Sequence, residues 1–140
     1  MWAAPRRRGS LVVVDTDVAS TLLRRRTSDA LARQLPGHAI AITFVTYGEL
    51  TKWTLVRHWG PRSLETMRVF LGELVVLPDD QHVAVRWGEI QAYAQLRGWP
   101  RPANDSWIAA CCLVLGLSLA TFNTKDYADF AEHEGLELVH

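Results

Sequence analysis

Residues Leu11–Asp17 read LVVVDTD, and the reading of this stretch decides the fold. Leu11 and three β-branched valines run without alternation into Asp15, Thr16 and Asp17. An unbroken apolar run of this length marks a strand buried on both faces, as in a parallel α/β sheet. Such a sheet carries its chemistry in the crevice at the carboxyl ends of its strands, which is where Asp15 falls. A carboxylate there is costly unless a cation, a hydrogen-bond donor or water meets it. What else the chain brings to Asp15 therefore decides its role.

The chain has 140 residues, 49% of them apolar and six of them Trp, enough for one globular domain with a proper core. Residues 1–10 read as a basic leader around Arg6–Arg8, and residues 11–140 as a single domain. The 15 basic and 15 acidic side chains cancel, so a net-basic nucleic-acid binder is not indicated. The charge is nonetheless uneven. Residues 1–30 hold six Arg against Asp15, Asp17 and Asp29, and residues 101–140 hold Arg101 and Lys125 against six acids. A basic patch beside an acidic pocket fits that asymmetry. No apolar stretch is long enough for a signal-peptide core or a membrane span. Cys111 and Cys112 are the two cysteines. They are neighbours on an apolar helix pattern, where adjacent positions do not face each other, so they do not pair together. Two buried thiols suit a reducing cytoplasm.

Working outward from Leu11–Val14, further strands are expected over Ala39–Phe44, Leu74–Leu77, Ser118–Phe122 and, at an edge, Leu136–Val139. Between them the patterns predict helices. The first is Val18–Arg26 capped by Asp17, and the second Asp29–Leu35 capped by Thr27 or Ser28. A capping box Thr46-Tyr47-Gly48-Glu49 opens a third, running to His58. Pro61 opens a fourth, ending at Glu73. Asp79 and Asp80 start a long helix to Arg97, with Val83, Trp87, Ile90, Tyr93 and Ala94 facing the core. Asn104–Leu115 is closed by Gly116, and a short last helix carries Asp126. His82 reads as a surface residue, since no second His or Cys stands at ligand spacing.

Strands alternating with helices imply a parallel sheet with helices on both faces. Residues just past the strands then share one edge. Asp15 ends the first strand, Glu49 lies a turn past the second and Asp126 follows the fourth, while Asp105 starts a helix that can aim at the same edge. Each acid has an ordinary explanation alone: Glu49 can cap a helix, and Asp105 is favoured by the helix dipole. Arg24, Arg25 and Arg26 likewise suit a solvated helix end, or a contact to phosphate. Four acids at one edge are harder to dismiss, because clustered carboxylates repel unless a cation neutralises them. Hard divalent ions prefer oxygen ligands, and the cluster reads as a site for Mg²⁺ or Mn²⁺ acting on a phosphodiester.

On these residues the chain resembles the PIN-domain ribonucleases, and within them the VapC toxins of toxin–antitoxin pairs. The resemblance spans Leu11–Val139 and rests on four motifs in order: Asp15-Thr16-Asp17, Glu49-Leu50, Asn104-Asp105-Ser106-Trp107-Ile108-Ala109-Ala110 and Thr121-Phe122-Asn123-Thr124-Lys125-Asp126-Tyr127. It implies a three-layer α/β fold with a mainly parallel sheet of about five strands. It implies an endoribonuclease whose acidic quartet Asp15, Glu49, Asp105 and Asp126 holds Mg²⁺ or Mn²⁺, with Asp15 and Asp105 as direct ligands. Thr16, Asp17, Thr121 and Asn123 would support the pocket; apart from the resemblance, Arg24, Arg25 and Arg26 are candidates for guiding the RNA backbone. A homodimer and a VapB-like antitoxin partner are also implied; an exposed apolar patch including Trp53 or Trp59 would be a candidate docking surface. Two positions depart from the family pattern: Asp17 replaces a frequent Asn, and Tyr127 replaces Phe with its packing kept.

Two rival readings use the same residues. In a haloacid-dehalogenase-type phosphatase, Asp15 would be the covalent nucleophile and Asp17 the general acid. The chain has no Gly-Asp pair to complete that motif set. In a binding-only PIN module the quartet would be silent, yet all four acids are retained.

Overall fold

A computed structural model describes residues 11–24, 35 and 37–139. Its elements are β1 (Leu11–Val14), α1 (Thr16–Leu23), β2 (Ala39–Thr43), α2 (Phe44–Val56), α3 (Pro61–Gly72), β3 (Val75–Leu77), α4 (Gln81–Leu96), α5 (Ala103–Leu115), β4 (Ser118–Ala120), α6 (Thr124–Glu134) and β5 (Leu138–Val139). The leader at 1–10, the helix expected from Asp29 and the arginines Arg25 and Arg26 lie outside the described residues.

The five strands form one sheet in the order β3-β2-β1-β4-β5. Every pair is parallel, with Val12 opposite Ile40 on one side of β1 and Ser118 on the other. All four β1 residues are at most 3% exposed, which explains why their sequence does not alternate. Alternate side chains feed two cores. Leu11 and Val13 join Ala41, Leu119, Ile90, Ile108 and Phe130 on the face covered by α4, α5 and α6. Val12 and Val14 join Val18, Ile42, Leu50 and Met67 on the face covered by α1, α2 and α3. Trp53 and Trp59 are half-buried against this second core.

The chain builds outward from β1 to β2 and β3, then returns to lay β4 against the other side of β1. Strand order therefore reverses between β1 and β4, the position at which an open α/β sheet leaves a crevice.

Several boundaries differ from expectation for local reasons. Asp15, not Asp17, caps α1, because its Oδ1 accepts from the Val18 N–H at 3.0 Å. The helix then stops at Leu23, with Arg24 as its C-cap. α2 starts at Phe44 instead of at Thr46. β2 runs straight into it, and the Thr43 hydroxyl caps it by accepting from the Thr46 N–H. Glu49 is thereby released from any capping role. Tyr93 is 46% exposed, because the buried stripe of α4 is Val83, Ile90 and Ala94. β4 and β5 are shorter than expected, and Leu136 is buried ahead of β5 after the left-handed Gly135 (φ 79°) ends α6. Cys111 and Cys112 are free and buried, and burial pushes the Cys111 thiol up to about 12. Among the described residues, no helix is long and apolar enough to cross a membrane.

Phe130 is fully buried in the first core. Phe130→Ala should lower unfolding free energy by about 3–5 kcal/mol in urea titrations, the range for deleting a buried aromatic ring. A loss under about 1 kcal/mol would show that this face is not packed as described.

Candidate active site

Asp15 bridges the crevice between β1 and β4 through both its backbone, whose N–H donates to the Ala120 carbonyl at 3.3 Å, and its side chain. Asp15 is 3% exposed, and its Oδ2 accepts from the Thr121 hydroxyl at 2.5 Å. Thr121, itself 1% exposed, accepts in turn from the Asn123 N–H at 2.9 Å. The ends of β1 and β4 are thus tied through side chains at the point where the strand order reverses. Burial raises the Asp15 carboxyl to about 6, against the pull of the bonds from Thr121 and Val18, and Asp17 and Asp105 add to the rise.

The other acids arrive on helices. α2 leaves β2 without a loop, so Glu49 comes round toward α1, and its Oε1 accepts from the Thr16 hydroxyl at 2.5 Å. Thr16 also lies 3.1 Å from the Thr46 hydroxyl. Asp105 enters from the first turn of α5 and is half-buried. Its carboxyl is raised by burial first, then by Asp126 and Glu49, while the Tyr127 hydroxyl and Arg101 oppose the shift. Asp126 stands exposed in the first turn of α6. Asp15, Thr16, Asp17, Glu49, Asp105, Asn123 and Asp126 all line one cavity of about 120 Å³, closed on one side by Ile108 and Tyr127.

Asp17 does not cap α1, and among the described residues it forms no salt bridge; it accepts from the Asn123 side-chain amide at 2.9 Å. The exposed Arg24 ends α1 away from the cavity and does not line it. Two contributors were not legible in sequence. Tyr127 does more than replace the packing of Phe: its hydroxyl donates to Asp105 Oδ1 at 3.3 Å. Thr46, fully buried, backs Thr16. The spacing of Thr46 three residues before Glu49 was visible, but it reads equally as a capping box.

The donor set is all oxygen, as a hard divalent cation requires. Among the described residues none of Asp15, Glu49, Asp105 or Asp126 makes an ion pair. Among the same residues no three His, Cys, Asp or Glu side chains converge closely enough to hold an ion by themselves. A Mg²⁺-type ion, which takes one or two carboxylates and keeps several waters, fits such an open arrangement; a dehydrated, fully protein-ligated ion does not.

Known proteins agree with this architecture. Ribonuclease VapC1 of Haemophilus influenzae strain R2866 is 24% identical over 120 residues, covering 84% of this chain and 90% of that protein. The fold matches VapBC-1 from nontypeable Haemophilus influenzae with a TM-score of 0.77 at 24% identity, covering 91% of this chain and 96% of that one. It matches VapBC2 from Rickettsia felis, bound to a promoter DNA fragment, with a TM-score of 0.77 at 19% identity over 91% of this chain and 96% of that one. The pattern of the PIN domain family matches residues 12–134, a span that includes every residue on which a phosphatase reading rested. With that span matched, the chain belongs to the PIN domain family.

Proposed function

We propose that this protein is a Mg²⁺- or Mn²⁺-dependent endoribonuclease, the toxin of a toxin–antitoxin pair. The observation that carries the reading is the convergence of four acids on one cavity without a cationic partner among the described residues. The similarity to Ribonuclease VapC1, and the fold shared with VapBC assemblies, support the substrate class and a VapB-like antitoxin partner. A homodimer and a cytoplasmic location belong to the same proposal.

In this reading Asp15 and Asp105 would hold the ion, and Glu49 and Asp126 would hold its waters or a second ion. When bound, the ion supplies Lewis-acid stabilisation of phosphoryl oxygens and a lowered pKa for water. The chain's own groups set the geometry. Thr121 and the Val18 N–H hold both oxygens of Asp15. Thr16, backed by Thr46, holds Glu49. Tyr127 holds Asp105. Asp15, Glu49 and Asp105 are thus oriented before substrate arrives, which spares reorganisation during the reaction.

Purified chain should cut total cellular RNA at discrete positions with Mg²⁺ or Mn²⁺, and lose that activity by at least about 100-fold with chelator or with Asp105→Asn. Cleavage surviving Asp105→Asn would refute the site. No cleavage under any metal, by a protein shown to be folded, would favour a binding-only module.

The titration of Asp15 has a definite sign. Its folded pKa lies above the usual carboxylate value, so its contribution to stability is present below about pH 4 and lost as pH rises through about 6. The difference is roughly 3 kcal/mol in the metal-free protein. Asp15→Asn should therefore raise the melting temperature of the metal-free protein at pH 7 but not at pH 4, and Mn²⁺ should stabilise the wild type more at pH 7 than at pH 5. Equal effects at both pH values would refute this reading of Asp15.

The Arg24/Arg25/Arg26→Ala triple variant should bind RNA more weakly at low salt, with a shallower dependence of affinity on salt. An effect independent of salt would remove these arginines from the RNA path.

A further inference from the structure

Beside the acidic cavity, a second groove of about 390 Å³ opens between α2 and α5. Glu49 lines both, so the two spaces share a wall. The groove also carries Lys52, Trp53, Asn104 and Trp107, and it runs past Gly48. We propose that it binds a single-stranded RNA segment next to the scissile phosphate, with a base against Trp107 and a backbone phosphate on Lys52. This rests on the ribonuclease reading and names where its substrate lies.

Trp107 is built as a rigid platform. It stacks on Trp87 at 4.7 Å and 11°, and meets the edge of Phe44 at 5.6 Å and 71°. It remains only half-buried, at the groove. An indole held in this way accepts a base at little cost in side-chain entropy, and stacking tolerates any base. Lys52 is exposed, three residues after Glu49 and hence on the same side of α2. No carboxylate pairs with it among the described residues. An acidic cavity repels phosphate, so a cation on its rim is what guides a nucleic-acid strand past it. The Asn104 amide offers both a donor and an acceptor to a base edge.

Gly48 is an independent observation. It sits inside α2, where glycine weakens a helix, yet a Cβ there would meet nothing within 4 Å. No crowding in the fold calls for glycine at this position. A backbone left bare at a groove allows close approach of a ligand. A protein segment is a poorer occupant, because Lys52, Asn104 and Glu49 interrupt any continuous apolar wall.

The test uses the full chain with chelator present and a short 2′-O-methyl oligoribonucleotide carrying 5-iodouridine. After irradiation, cross-linked peptides are mapped by mass spectrometry. Cross-links should fall on the peptides carrying Trp107 or Trp53. Gly48→Leu should abolish them while melting at or above the wild-type temperature, since leucine fills the groove and favours the helix. Lys52→Ala should reduce the slope of log affinity against log salt by about 0.7, the share of one phosphate on a single strand. Trp107→Leu should weaken binding between about 5-fold and 100-fold. Cross-links elsewhere, with Lys52→Ala and Gly48→Leu binding as wild type, would overturn the proposal. If RNA is still cleaved in that case, the ribonuclease reading stands without this groove. Cross-links in the groove without cleavage under any metal would keep the groove and overturn the ribonuclease reading. Groove variants that alter self-association in ultracentrifugation but not RNA binding would give the groove to a second copy of the chain and overturn the proposal.

Discussion

A carboxylate buried at the end of the central strand is costly, and much of this structure is arranged around that cost. Asp15 is 3% exposed and close to Asp17 and Asp105. Two donors, the Thr121 hydroxyl and the Val18 N–H, offset part of the penalty. They do not cancel it, because burial still raises the carboxyl to about 6. The same carboxylate also caps α1, so the helix start, the joint between β1 and β4 and the acidic pocket depend on one side chain. A group held in a state it would not choose alone is one ready to bind a cation, at the expense of metal-free stability.

The threonines explain how such a cluster survives. Thr43 caps α2, Thr46 backs Thr16, Thr16 holds Glu49 and Thr121 holds Asp15. Thr43, Thr46 and Thr121 are at most 1% exposed. These hydroxyls give Asp15 and Glu49 an oriented donor each without adding positive charge to the pocket. The site therefore keeps its negative potential while two of its carboxylates are fixed in direction. Tyr127 does the same for Asp105 from the side of α6, an addition to the motif beyond ring packing.

At 24% identity to a ribonuclease relative, what persists is a pattern, not a sequence. In this chain the two-faced β1 strand and the sheet reversing about it set the architecture, and the acids stand at its strand ends. The groove beside Glu49 is built from the exposed sides of α2 and α5, on a scaffold that leaves specificity to be built locally.

The parallel sheet was legible because a fully buried strand leaves an unbroken apolar run, as in Leu11–Val14, and because strands and helices alternate along the chain. The sequence by itself also determined that Asp15, Glu49 and Asp126 follow strands and so share an edge. Only the tertiary structure decided the partners. Thr121 reaches Asp15 across 106 positions and Thr16 reaches Glu49 across 33. Such contacts depend on strand register and on the rotation of α1 and α2 about their axes, neither of which periodicity encodes. For the same reason Thr46 and Glu49 match a capping box in sequence although β2 enters α2 directly, and Asp17 matches a cap although Asp15 takes that place and Asp17 meets Asn123. Local pattern states which face a residue occupies; packing alone states which atom it meets.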